Sequence, residues 1–196
     1  MFKSNSDQSH YMIPLMLDLS ASSVLVVGSG AVGQRKAGYF ADSCREVRLI
    51  DELPKNPEEL ISCYDIIVAA TASESVNETI CSIARSQNKW YNSATGIGNF
   101  LIPAAFSEEN FTLAVSTGGK APAVSAYLRD YIGENLPALP QMISLQETLR
   151  TELKTVVPEQ KRRAEILRAV LDDSAVWQAL EAGDDETALA LSRRHI

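Results

Sequence analysis

Apolar positions change their period twice along this chain. In the first half, short apolar runs at residues 24–27, 47–50 and 66–70 are each bounded by glycine or polar residues and separated by stretches of helical period. Runs this short read as buried strands. Between them, residues 34–42 place Ala37, Tyr39, Phe40 and Ala41 as a helix packed on a sheet. Pro57 followed by Glu58 and Glu59 starts a short helix, and Val76, Ile80, Ile83 and Ala84 fall on one helical face. Residues 90–92 begin a further short strand. Strands alternating with helices predict an α/β unit with a parallel sheet. Residues 52–63 are too few for both a helix and another strand, so the sheet is expected to be shortened.

After residue 100 the pattern becomes that of a small separate sheet. Residues 100–106 and 111–116 are short enough for strands, and the second run alternates with a period near two. A turn-rich loop at residues 117–122 leads into a helix at 123–132 that Gly133 is expected to close. Pro137 and Pro140 punctuate the entry to a helical tail, with successive helices at 142–157, 158–171, 175–182 and 185–194 and Gly183 after the third. The tail's stripe of Ile166, Leu167, Val170 and Leu171 reads as core. The chain thus divides into residues 1–99, 100–136 and 137–196. Ahead of the first strand, residues 11–17 read as an extended segment that ends at the polar break of residues 18–23.

The first strand runs directly into Gly28-Ser-Gly30-Ala31-Val32-Gly33 and then a helix. Gly28 suits the tight turn, while Gly30 and Gly33 remove side chains that would obstruct a pyrophosphate at the helix start, where unpaired N–H groups of residues such as Ala31 and Val32 can hold it. Asp51, eighteen residues after Gly33, ends the next apolar run and is placed to accept hydrogen bonds from ribose hydroxyls. These features predict a Rossmann-like NAD site, with Asp51 disfavouring a 2′-phosphate and Arg48 nearby leaving NADP open. Thr71, in a polar loop at a strand's carboxyl end, and the small-residue loop at 93–99 should lie at the same edge.

The 45% apolar content suffices for a core, and a net charge of -7 argues against general nucleic-acid binding. The basic runs 161–163 and 193–194 read as solvated helix faces. Cys44, Cys63 and Cys81 have no metal-ligand spacing and read as buried thiols in a reducing cytoplasm. No secretory leader pattern or membrane-length apolar run is seen, so a soluble cytoplasmic protein is expected. His10 and His195 lie near the termini and carry no expectation of catalysis.

Several motifs in order resemble the precorrin-2 dehydrogenase family, including the N-terminal module of siroheme synthase. They are residues 11–19 (Tyr-Met-Ile-Pro-Leu-Met-Leu-Asp-Leu), the glycine turn with Arg35 and Lys36, residues 67–71 (Ile-Val-Ala-Ala-Thr), Tyr91-Asn92, residues 100–104 (Phe-Leu-Ile-Pro-Ala), and residues 114–122 (Ala-Val-Ser-Thr-Gly-Gly-Lys-Ala-Pro) leading into Leu128-Arg129. The resemblance implies NAD-dependent oxidation of precorrin-2 to sirohydrochlorin on the way to siroheme. It further implies a homodimer joined through the 100–136 region, with a cleft between that region and the nucleotide domain. Ser116, Thr117, Gly118, Gly119 and Lys120 become candidates for holding the carboxylate-rich substrate, with Arg129 and Lys36 as further basic groups. This chain has Thr95 where many members carry an aspartate linked to proton handling and metal insertion, and Ala121-Pro122 where Ser-Pro is usual. The catalytic residue is therefore unassigned and no metal ligand is expected. Metal insertion into sirohydrochlorin, or non-catalytic tetrapyrrole binding and delivery, stand as alternatives.

Overall fold

The computed structural model describes residues 12–96 and 98–196, so His10 and Tyr11 lie outside the described residues. Of the segment expected to be extended, Met12 to Leu17 has no regular structure and its apolar side chains are exposed. The chain forms two compact units, Met1–Ile102 and Pro103–Ile196.

In the first unit, β1 (Ser23–Val27), α1 (Ala31–Gly38), β2 (Glu46–Ile50), α2 (Pro57–Ser62), β3 (Ile66–Ala69), α3 (Glu74–Ser86) and β4 (Trp90–Ser93) follow in order. The strands make one parallel sheet in the order β2-β1-β3-β4, with Val24 beside Val47 on one side and Ile66 on the other. All five residues of β1 are buried because it is paired on both edges and covered on both faces. Leu25 and Val27 pack with Ile61, Ile67, Ile80 and Ala84 on the α2/α3 face, and Val24 and Val26 pack with Phe40, Ile66 and Val68 on the α1 face. An unbroken apolar run is what such a strand requires. The single short helix α2 bridges β2 and β3, as the spacing predicts.

The buried stripe of α3 differs from the expected one. It comprises Asn77, Ile80, Cys81 and Ala84, while Val76 is exposed. The helix is rotated to bring the Asn77 amide inward, where it bonds two loops. Ser73 caps this helix, its Oγ accepting from the Val76 N–H at 3.4 Å. At the other end of the sheet, Asp65 Oδ2 accepts from the Ser23 N–H and Oγ at 2.8 and 2.9 Å, joining the amino ends of β1 and β3.

The expected strand at residues 100–103 does not form. Phe100 and Ile102 instead pack onto the α1-face core, and the backbone here is held by side chains: Asn99 Oδ1 accepts from the Tyr91 N–H at 2.7 Å and Asn92 Nδ2 donates to the Phe100 carbonyl at 3.0 Å. The cysteine expectation also needs correction. Cys81 is buried, Cys44 only partly so, and Cys63 is exposed at the end of α2, because its neighbours Ile61 and Tyr64 take the inward positions.

In the second unit, β5 (Ala104–Ser107) and β6 (Thr112–Val115) form an antiparallel hairpin, followed by α4 (Pro122–Asn135), α5 (Leu139–Val156), α6 (Gln160–Asp172), α7 (Ser174–Glu181) and α8 (Asp185–Ser192). Gly133 does not close α4. It lies inside the helix, with the Phe106 ring at ordinary contact distance from where a Cβ would be, and the helix continues to Asn135. Pro140 does not precede α5 but sits in its first turn, where a missing N–H costs nothing. Met142, Leu145, Leu149, Val170, Val176, Leu180 and Ala188 form the core of this bundle. Ile166 is buried as the stripe requires, whereas Leu171 is exposed and its carbonyl accepts from Trp177 Nε1 at 2.8 Å.

Three of the basic residues read as solvated faces have partners, one of them Arg162, whose Nη1 lies 3.6 Å from Glu165 Oε2 on the same helix face. Arg163 Nη1 donates to the carbonyls of Val157 and Pro158 at 2.8 and 2.7 Å, closing the end of α5, and Arg193 makes a two-pronged pair with Glu152. His195 Nε2 lies 2.9 Å from Asp173 Oδ2.

Candidate functional site

The chain leaves β1 toward β2 and then crosses back over β1 to β3, so the connections diverge between the carboxyl ends of β1 and β3. Open α/β sheets bind ligands in the crevice such a reversal leaves. The glycine turn follows β1 and Thr71 follows β3, which brings both to this point.

Each glycine in the turn answers a different constraint. Gly28 has φ +109°, and a Cβ on it would lie 2.3 Å from the Ala70 carbonyl oxygen, so the turn is pressed against the end of β3. A Cβ on Gly33 would lie 1.7 Å from the Gly28 carbonyl oxygen, so α1 can approach the turn only with glycine there. Among the described residues, a Cβ on Gly30 would meet nothing within 4 Å. Packing among the described residues therefore does not explain Gly30, whereas a ligand over the turn would.

Gly30 is also the N-cap of α1, with extended backbone, no side-chain cap, and no acidic residue in the first turn. The N–H groups of Ala31, Val32 and Gly33 precede the first intrahelical donor, the Gln34 N–H, which bonds the Gly30 carbonyl at 3.0 Å, and the positive end of the helix is not neutralised from within it. An anion fits this cradle in both shape and charge. Asp51 comes beside it from the end of β2, where Ser29 Oγ donates to Asp51 Oδ1 at 2.5 Å. Arg48 turns elsewhere: its Nη1 donates to the Tyr64 hydroxyl at 3.5 Å.

Asn77 ties the loops after β3 and β4 together. Its Oδ1 accepts from the Thr71 N–H and Oγ1 at 2.9 and 2.8 Å, and its Nδ2 donates to the Thr71 carbonyl at 3.0 Å and to Thr95 Oγ1 at 3.1 Å. This fully buried side chain is absent from the sequence expectations, although one signal for it exists: Asn77 occupies the position that completes the helical spacing of Ile80, Cys81 and Ala84. Thr95 thus stands as a neutral hydroxyl engaged by a neutral amide.

Lys36 and Asn92 meet on the α1 face, where Lys36 Nζ donates to Asn92 Oδ1. Burial, with the charge of Arg35 adding to it, pushes the Lys36 pKa down. Its use here is internal, rather than the open surface cation that a substrate carboxylate would meet.

The second unit carries the remaining candidates. Gly118 and Gly119 have φ of +63° and +79°, a turn suited to glycine. Ser116 Oγ accepts from the Gly118 N–H at 3.1 Å, and Thr117 Oγ1 accepts from the Ala121 N–H at 3.0 Å and from Ser125 Oγ at 3.2 Å. In each bond the hydroxyl oxygen accepts, so its own proton is still available to a ligand. Lys120 is exposed beside this turn, and Arg129 is paired with Asp130 at 2.6 Å. Among the described residues no group of three or more His, Cys, Asp or Glu side chains is placed to hold a metal ion, and no helix is long and apolar enough to cross a membrane.

Residues 15–104 match the family model described as "Putative NAD(P)-binding". The precorrin-2 dehydrogenase of Methanosarcina barkeri is 32% identical, with 92% of each chain covered. A siroheme synthase of Psychromonas ingrahamii is 24% identical over 91% of this chain and 42% of its own length, so the similarity there spans only part of a longer protein. Among solved structures, SirC, a precorrin-2 dehydrogenase, matches the fold with a TM-score of 0.67 at 23% identity, covering 93% of this chain and all of that one.

Proposed function

The chain belongs to the precorrin-2 dehydrogenase family, and from that premise we propose that it oxidises precorrin-2 to sirohydrochlorin with NAD, a step toward siroheme and related tetrapyrroles. The observation that carries the reading is the open position over Gly30 at an uncapped helix start, with Asp51 beside it. NAD, when bound, supplies the hydride acceptor, and the protein's part is to orient it against the carbon that loses the hydride. Precorrin-2 gives up a hydride and a proton, the latter passing to solvent.

Gly28 and Gly33 hold the turn and helix in place, while Gly30, Ala31 and Val32 receive the pyrophosphate. Asp51 accepts from the ribose hydroxyls, with Ser29 Oγ donating to its Oδ1. Thr71, fixed by Asn77, borders the site at the end of β3. Ser116, Thr117, Gly118, Gly119 and Lys120 receive a substrate carboxylate through hydroxyl protons, turn N–H groups and the ammonium. Thr95 cannot ionise at neutral pH, which favours oxidation over a carboxylate-dependent metal insertion.

The division of labour we assign is a nucleotide domain at residues 1–99, a dimerisation region at 100–136 and a helical domain at 137–196, in a cytoplasmic homodimer. Three free thiols, one of them exposed, suit a reducing compartment. The exposed apolar side chains of α4 suit a second copy as partner.

Incubation of the purified protein with precorrin-2 and NAD should yield NADH and sirohydrochlorin in equal amounts. Tight tetrapyrrole binding with no NADH formed by folded protein would replace this reading with that of a carrier.

A further inference from the structure

Lys36 is half-buried with an amide oxygen as its partner, and no carboxylate offsets its desolvation among the described residues. Removing an ammonium from water in this way is costly, and a methionine of similar length would fill the same space at lower cost. What the charge accomplishes is a connection. Asn92, itself buried, accepts from Lys36 through Oδ1 and donates through Nδ2 to the Phe100 carbonyl at 3.0 Å. Phe100 lies where the chain returns along β4 after the turn that carries Thr95. At the same neck, a Cβ on Gly98 would lie 2.4 Å from the Tyr91 carbonyl oxygen, and Asn99 Oδ1 accepts from the Tyr91 N–H. Both sides of the neck are thus pinned, and one pin begins on α1.

We propose that Lys36 is a positioning residue for the oxidation. Through Asn92 it registers the neck of the turn at residues 93–96 against α1, the helix whose first turn receives the cofactor's pyrophosphate. Lys36 stands in the second turn of α1, about 1.4 turns from the helix start, so a ligand seated at the start of α1 and a loop closed by Asn92 share one rigid element. The other side of the same turn is fixed by Asn77 through Thr95. Lys36 therefore sets where the loop stands relative to the cofactor without touching either reactant. The proposal rests on the dehydrogenase reading above.

The test compares Lys36→Met, Lys36→Arg, Asn92→Leu and the Lys36→Met/Asn92→Leu double variant, measuring NAD affinity, kcat and KM for precorrin-2, and Tm. Lys36→Met should hold NAD within about threefold and leave KM within about threefold, yet lower kcat by about tenfold or more, the size of effect a small misplacement produces. Lys36→Arg, which keeps a donor, should recover most of the loss, and the double variant should be no slower than Asn92→Leu alone. An unchanged kcat in Lys36→Met would overturn the proposal. So would a rise in KM at constant kcat, which would make Lys36 a substrate-carboxylate ligand, or losses that multiply in the double variant. If Lys36→Met does not fold, Lys36→Gln is measured in its place against the same expectations. If the wild type forms no NADH, the dehydrogenase reading fails by itself. The link is then judged by Tm, where the two single losses must not add in the double variant, and additive losses would overturn it.

Discussion

Gly28, Gly30 and Gly33 lie within six residues, yet substituting each should fail differently. Gly30 has φ -66° and open space around its Cβ position, so Gly30→Val should fold normally, with Tm within about 3 °C of wild type, a change of roughly 1 kcal/mol or less. Isothermal titration should nonetheless show NAD affinity reduced at least tenfold, because the isopropyl group occupies the pyrophosphate's place, and unchanged affinity would reject the cradle. Gly33→Ala should do the reverse. Its methyl group collides with the Gly28 carbonyl and must push α1 off the turn, costing about 3 kcal/mol in chemical denaturation. Asp65 supports the opposite end of the sheet by accepting from both polar groups of Ser23, a residue only 1% exposed. Those bonds hold the Asp65 carboxyl below its ordinary 3.8. Asp65→Ala leaves the Ser23 donors unmatched and should lower stability by about 2 kcal/mol at neutral pH. Because the folded pKa lies below the unfolded one, the carboxylate's contribution is complete above pH 3.8 and is lost as pH falls through the lower folded value. The Tm gap between wild type and Asp65→Ala should thus stay constant from neutral pH down to about 5 and narrow in stronger acid.

At the scale of elements, α3 illustrates why a helix can be legible while its orientation is not. Apolar periodicity locates α3 and points to Val76 as part of the inward face, because hydropathy ranks valine above asparagine. The structure buries Asn77 instead, where its amide bonds polar groups of the two loops after β3 and β4. Asn77→Leu keeps the volume but leaves the Thr71 N–H without its acceptor and frees Thr95, so it should cost about 2 to 3 kcal/mol in urea unfolding. Stability equal to wild type would mean that water replaces the amide. A similar limit explains residues 100–103, which have strand-like composition but whose partners are the sheet's apolar face and, at the Phe100 carbonyl, the Asn92 side chain rather than another strand. By contrast, β1, the short α2 and the glycine turn were legible because local chemistry decides each: an unbroken apolar run, a proline with acids behind it, and, at Gly28 and Gly33, positions where a Cβ has no room. The Lys36–Asn92 link lay beyond sequence reading, as it joins residues on elements that only the sheet order brings together.

On the scale of the whole molecule, the two units differ in how completely their polar and apolar groups are satisfied. The parallel sheet of the first has both faces covered, with cores on either side. The hairpin of the second has only two strands, so each strand keeps one edge unpaired, and α4 exposes Val124, Tyr127, Leu128 and Tyr131. Tyr127 and Tyr131 stack at 6.0 Å between ring centroids while remaining 64% and 50% exposed, an aromatic surface with little reason to face water. A second copy of the chain, meeting this face across a two-fold axis, would cover the helix and shelter the hairpin edges in both protomers at once. The wild type should therefore scatter light with twice the mass of one chain at micromolar concentration. Replacing both tyrosines by glutamate introduces like charges on both sides of a two-fold contact, and the Tyr127→Glu/Tyr131→Glu variant should scatter as a single chain while NAD affinity in the first unit is retained. A wild type that remains monomeric at tens of micromolar, or a variant whose mass is unchanged, would remove α4 from the dimer contact.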